Sequence, residues 1–105
     1  MELGIFPLNT VLFPGLLLPL QVFEPRYKRL MGWVLAADGR FGIALIRRGL
    51  EVGGPAEPFG VGTVARVVEA QGGPGGRLKL LVRGEGRFRL RELRCHRDGY
   101  LLGRV

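Results

Sequence analysis

A chain of 105 residues that is 47% hydrophobic, with a net charge of +7, has the size of one domain and too much apolar content to stay a disordered polyelectrolyte. Its single cysteine excludes an intrachain disulfide and a multi-cysteine metal site, and fits a reducing compartment. Its lack of serine excludes a serine nucleophile.

Met1–Asn9 has no cationic segment ahead of its apolar residues, so it does not read as a signal peptide. Leu3–Phe6 predicts a first short strand, with Pro7 favouring its end because proline cannot donate to a ladder. Val11–Phe23 is apolar but broken by Pro14, Gly15 and Pro19, and falls short of the roughly 20 residues that span a bilayer. The chain therefore predicts a soluble, cytoplasmic protein without membrane association. Within this stretch Pro14-Gly15 suits a type II turn, proline fixing φ and glycine supplying φ > 0. Leu16–Phe23 then reads as a strand that Pro19 confines to an edge or a bulge.

Glu24-Pro25 opens the one predicted helix, near residues 25–37, since proline in the first turn loses no hydrogen bond. Tyr27, Leu30, Met31, Val34 and Leu35 fall on one face, and Asp38-Gly39 is the stop. Arg40–Arg47 is apolar on both parities, as a central strand covered on two faces would be. Arg48–Phe59, rich in glycine and proline, predicts a loop. Gly60–Gln71 is β-branched and strand-like, and Gly72–Gly76 a turn. Arg77–Arg83 alternates, with Leu78, Leu80 and Val82 on one face. Gly84-Glu85-Gly86 predicts another turn. In Arg87–Cys95 the apolar phase slips by one, as a β-bulge would make it. Asp98-Gly99 suits a hairpin turn before a last strand, Tyr100–Val105. About six or seven mostly antiparallel strands and one helix define a mainly β fold, a small barrel or pair of curled sheets with the helix packed over an end.

Residues that carry chemistry are scarce. Cys95 adjoins the only histidine, His96, but neighbours on a strand point to opposite faces. The pair therefore predicts a buried cysteine beside an exposed histidine rather than a catalytic dyad. One histidine, one cysteine and scattered acids predict no metal site. No phosphate-binding loop motif is present. No enzyme and no cofactor are expected, which leaves binding. Phe13, Pro14, Leu16 and Leu17, around the bend, either fill the core or form an exposed apolar surface for polypeptide. Charge is lopsided, with +6 on residues 77–105 and +1 on the remainder. That asymmetry fits a solvated arginine-rich face, as in an arginine-preferring thermophile. It also fits nucleic acid held by Arg77, Lys79, Arg83, Arg87, Arg89 and Arg91. The aromatic partners that single-stranded RNA requires are missing from those strands, since Phe88 shares the apolar face with Leu90.

The stretch FPLNTVLFPGLLLPLQVFEPRY, Phe6–Tyr27, resembles the N-terminal substrate-binding domain of the Lon ATP-dependent protease family. Phe41–Ile46, Gly62-Thr63-Val64-Ala65 and Gly84…Gly86-Arg87-Phe88-Arg89-Leu90 match further family blocks in order. The resemblance covers nearly the whole chain. It implies a pseudobarrel similar to the PUA fold, without catalytic residues, recognising unfolded polypeptide or a partner protein in protein quality control. Residues 1–105 are then expected to form one such domain, a short stand-alone member or a truncated one, without ATPase or protease segments and without the family's usual C-terminal helical region. A homo-oligomer is compatible with it. The PUA likeness keeps RNA binding as the alternative.

Overall fold

A computed structural model describes every residue from Met1 to Val105. Its seven strands are β1 (Glu2–Leu8), β2 (Leu17–Val22), β3 (Arg40–Gly49), β4 (Ala56–Gly72), β5 (Leu78–Arg89), β6 (Glu92–Cys95) and β7 (Leu101–Arg104). The single helix, α1, spans Pro25–Ala36. The strands form one sheet in the order β2-β5-β4-β3-β1-β7-β6. The mainly β class with one helix is as expected. The sheet has seven strands, within the expected count of six or seven, and one neighbouring pair, β1 with β3, is parallel. A parallel pair needs a long crossover, and β2 with α1 supplies it.

The sheet curls. Phe6 and Leu8 of β1 share a core cluster with Leu20 and Val22 of β2, although three strands lie between β1 and β2 in the sheet order. The helix seats Tyr27, Leu30, Met31 and Val34 in this core, and Phe6 stacks on Tyr27 at 4.3 Å. Leu35, expected on the same face, is exposed. A second cluster of Leu3, Ile5, Ala44 and Phe88 lies apart from the first. Because Phe41 and Ile43 belong to the first cluster and Ala44 to the second, β3 is apolar on both parities. Pro7 does not end β1. It pairs with Ala44, and β7 has already left β1 after Ile5, so an absent N–H is tolerated there.

Three turns form where expected. Leu16 N–H donates to the Phe13 carbonyl at 3.2 Å around Pro14-Gly15, with Gly15 at φ +85°. Gly39, at φ +75°, closes α1 by donating to the Val34 carbonyl. His96 and Tyr100 close the β6–β7 hairpin around Asp98-Gly99.

Other expectations are corrected. Arg48–Phe59 is not a loop throughout: Arg48 pairs with Glu57 and Gly49 with Ala56, which leaves only residues 50–55 as the connection. Gly84-Glu85-Gly86 is not a turn, because β5 runs through it. There Gly84 pairs with Ala65 and Arg87 with Thr63, so Glu85 and Gly86 face a single residue of β4. That is a bulge, a lone glycine signal that sequence cannot separate from a turn. The phase slip placed within Arg87–Cys95 is a break between β5 and β6. Cys95 is exposed while His96 is half-buried, stacked on Tyr100 at 4.5 Å, the reverse of the predicted pair.

Candidate polypeptide-binding surface

The bend at Pro14-Gly15 is fastened on two sides. Gly15 N–H donates to the Gly84 carbonyl at 2.8 Å, and Gly84 N–H donates to the Leu16 carbonyl at 2.9 Å. A Cβ on Gly84 would collide with the Phe13 carbonyl, so only glycine allows this approach. Just upstream, Leu12 is buried and its carbonyl accepts a 2.6 Å hydrogen bond from the buried Thr63 hydroxyl. These anchors hold the backbone while the side chains point outward. Phe13, Leu16 and Leu17 are 53%, 55% and 48% exposed, and Pro14 is exposed too. They do not fill the core.

Three apolar residues that sequence reasoning did not single out extend this surface. Val11, Phe59 and Val61 are exposed and line a shallow cavity of about 150 Å³ that also includes Arg87. Phe59 and Val61 gave no usable signal, because the first sat in a predicted loop and the second in a predicted strand, Gly60–Gln71, to which no buried face was assigned.

The six basic residues proposed for nucleic acid are all exposed, and none lies within ion-pair distance of a carboxylate. The bulge divides them. Before it, Leu80 and Val82 face the main core, so Lys79 and Arg83 point to the outer face. After it, Phe88 enters the second cluster, so Arg87 projects on the main-core side, at the barrel mouth. The outer face also carries Glu85, whose carboxylate accepts from Arg40 at 2.7 Å and lies 3.9 Å from Arg66. Two of the six meet exposed aromatics. The Arg87 guanidinium lies 5.8 Å from the Phe13 ring centroid, and that of Arg77 lies 5.9 Å from Phe23. Strand alternation could not show either pair, since the partners are more than fifty residues apart in sequence.

No group of three or more His, Cys, Asp or Glu side chains lies close enough to hold a metal ion. No helix is long and apolar enough to cross a membrane.

A curled seven-stranded sheet with a single helix is the fold of a Lon N-terminal domain. A Lon N-terminal domain protein from Xanthomonas campestris has the same fold, with a TM-score of 0.84 and 35% identity over 100% of this chain and 58% of that one. The N-terminal domain of the Mycobacterium avium complex Lon protease shares the fold at a TM-score of 0.72 and 20% identity, covering 53% of that chain. The profile of the ATP-dependent protease La (LON) substrate-binding domain matches residues 2–105. The chain belongs to this family. Lon proteases of Magnetococcus marinus and Porphyromonas gingivalis are 37% and 31% identical over 88% and 92% of this chain. The chain spans about 12% of the length of these curated relatives.

Proposed function

We propose that this chain is a non-catalytic polypeptide-recognition domain that holds exposed apolar segments of unfolded protein on Phe13, Pro14, Leu16 and Leu17. The observation that carries this reading is the bend itself: adjoining large apolar side chains are held in water by a backbone clamped to Gly84. Apolar groups fixed in position bind with less lost conformational entropy than groups on a mobile loop, and a contiguous exposed patch marks a partner site. Membership in a substrate-binding family supports the same role, as does the presence of ATPase and protease activities in other domains of Lon. We place the domain in cytoplasmic protein quality control, with Cys95 unpaired.

Leu16→Asp with Leu17→Asp tests this. Both side chains are about half exposed, so the double variant should melt within about 0.5 kcal/mol of the parent per site. It should lose binding to a reduced, carboxymethylated client measured by fluorescence anisotropy. A folded variant that binds the client unchanged removes the patch from the site.

A second reading, single-stranded RNA, is favoured by one observation. Phe13 and Phe23 place exposed aromatic rings beside Arg87 and Arg77, the pairing of stacking platform and cation that such binders use. Filter binding against salt separates the cases. Six phosphate contacts predict a log–log slope of roughly −4, and the three available on one side of the bulge only about −2. A flat line excludes RNA.

A further inference from the structure

A cavity about twice the size of that beside Arg87 lies elsewhere, in the gap where the curled sheet fails to close between β1 and β2. It has a volume of about 310 Å³ and walls that include Phe6, Leu8, Leu18, Leu20, Val22 and Tyr27. The charged groups that line it are both carboxylates, Glu24 and Glu51, in a chain whose net charge is +7. Glu24 is occupied: it accepts from Gly53 N–H at 2.9 Å and pairs with Arg26 at 3.4 Å. Glu51 has no cation within ion-pair distance, and its one hydrogen bond comes from Asn9 N–H at 2.7 Å. A half-buried carboxylate in the wall of an apolar groove is half of an amphipathic recognition site. Its complement is an aliphatic stem that ends in a cation.

We propose that this groove takes a lysine or arginine side chain of the same unfolded polypeptide whose apolar residues dock on Phe13–Leu17. The inference rests on the polypeptide-binding reading and names the client's second anchor. Strand β2 joins the two places, running from Leu17 at the patch to Val22 in the groove wall. β2 is one of the two edge strands of the sheet, yet pairing as an eighth strand is blunted. The Leu16 carbonyl accepts from Gly84, so alternation turns the even-numbered residues toward β5 and Pro19 toward the free edge, where it has no N–H to offer. Recognition therefore falls to side chains. The two anchors carry opposite signs, since Arg83 pairs across from Leu17 and Arg87 lies over Phe13. A cation is unfavourable at the patch and favourable in the groove. The groove wall follows β2 from Leu18, beside the patch, to Val22, whose distance from Leu17 is about five steps of extended chain, roughly 17 Å. The client's lysine thus belongs within about five residues of its apolar pair.

Three fluorescent, unstructured peptides that carry a Phe-Leu pair and, five residues away, Lys, Gln or Glu provide the test. The lysine peptide should bind the parent about fivefold more tightly than the glutamine peptide, with glutamate weakest. Glu51→Gln keeps an acceptor for Asn9 N–H and should erase the lysine advantage while leaving the glutamine peptide unchanged. Equal binding of the Lys and Gln peptides overturns the inference and leaves the polypeptide reading standing, as does a lysine advantage that persists in Glu51→Gln. If none of the three binds, both fall together. A dimer that Glu51→Gln disrupts without altering peptide affinity gives the groove to a second copy of the chain and overturns the proposal.

Discussion

The guanidinium of Arg87 lies 5.8 Å from the ring centroid of Phe13, which joins the apolar bend to the basic end of β5. An exposed pair of this kind is worth about 0.5–1 kcal/mol, too little to matter for the fold. Its consequence is for binding, because two candidate surfaces share one ring. Phe13→Ala should weaken an apolar polypeptide by about tenfold or more, the loss expected of a central aromatic anchor. If RNA also binds, the same variant should weaken it by removing a stacking platform worth about 1–3 kcal/mol. Arg87→Glu should spare a neutral apolar peptide and penalise RNA. Anisotropy titrations of both probes against both variants check this, and a neutral peptide lost with Arg87→Glu contradicts it.

Gly84 should be the least replaceable glycine of β5. An alanine methyl there meets the Phe13 carbonyl, and overpacking against backbone costs about 1–3 kcal/mol. Gly84→Ala should lower the urea midpoint and loosen the bend, so client binding falls as well. Gly86 has open space around its Cβ position, and Gly86→Ala should stay within about 0.5 kcal/mol of the parent. Equal midpoints for the two variants would remove the clamp from the account.

Thr63 is the one buried polar residue of the core, and its hydroxyl donates to the Leu12 carbonyl. Thr63→Val keeps the shape and deletes the donor, which strands a carbonyl at about 1–3 kcal/mol. For a domain of this size that lowers the melting temperature by about 4 °C or more. Since Leu12 leads directly into Phe13, amide exchange at Phe13–Leu17 should quicken in the variant. Unchanged exchange would show that the bend does not depend on this bond.

Alkaline pH should destabilise the fold through two phenols. Burial pushes Tyr27 above its ordinary value. Arg26 opposes the shift, while Glu24 and Glu51 add to it. Burial also raises Tyr100, with Asp98 adding to the shift and Arg94 opposing it. Both phenols hold their protons more tightly folded than unfolded. Their contribution is therefore fully present below about pH 10 and is lost as pH rises through the raised folded values. Melting temperatures should be flat in this respect below about pH 10 and fall above it. Tyr27→Phe should show a shallower fall, and an identical pH profile would remove Tyr27 from the effect.

Much of the fold is set by local chemistry and was readable without coordinates. Pro14-Gly15 specifies its turn because glycine alone accepts φ +85° cheaply, Pro25 can occupy only the start of a helix, and Pro19 belongs on an edge strand, where it lies. The composition of Phe13–Leu17 named an apolar candidate surface, but the same residues suited a core equally well. Long-range contacts settled that choice, because Gly84 and Thr63 clamp the backbone from strands some fifty to seventy residues away and turn the side chains to water. The same holds for the basic residues. Their sequence groups them as one candidate surface on two strands, but they lie along one strand and its ends, and one extra residue at Glu85-Gly86 splits them between two faces, since the side-chain period of two makes a single insertion reverse every position after it. The groove at Glu51 had no local signature at all, because its walls come from β1, β2, α1 and the residue 50–55 connection and meet only when the sheet curls. Backbone preferences of single residues determine turns and edges; which apolar and charged groups remain in water is decided by what the rest of the sheet covers.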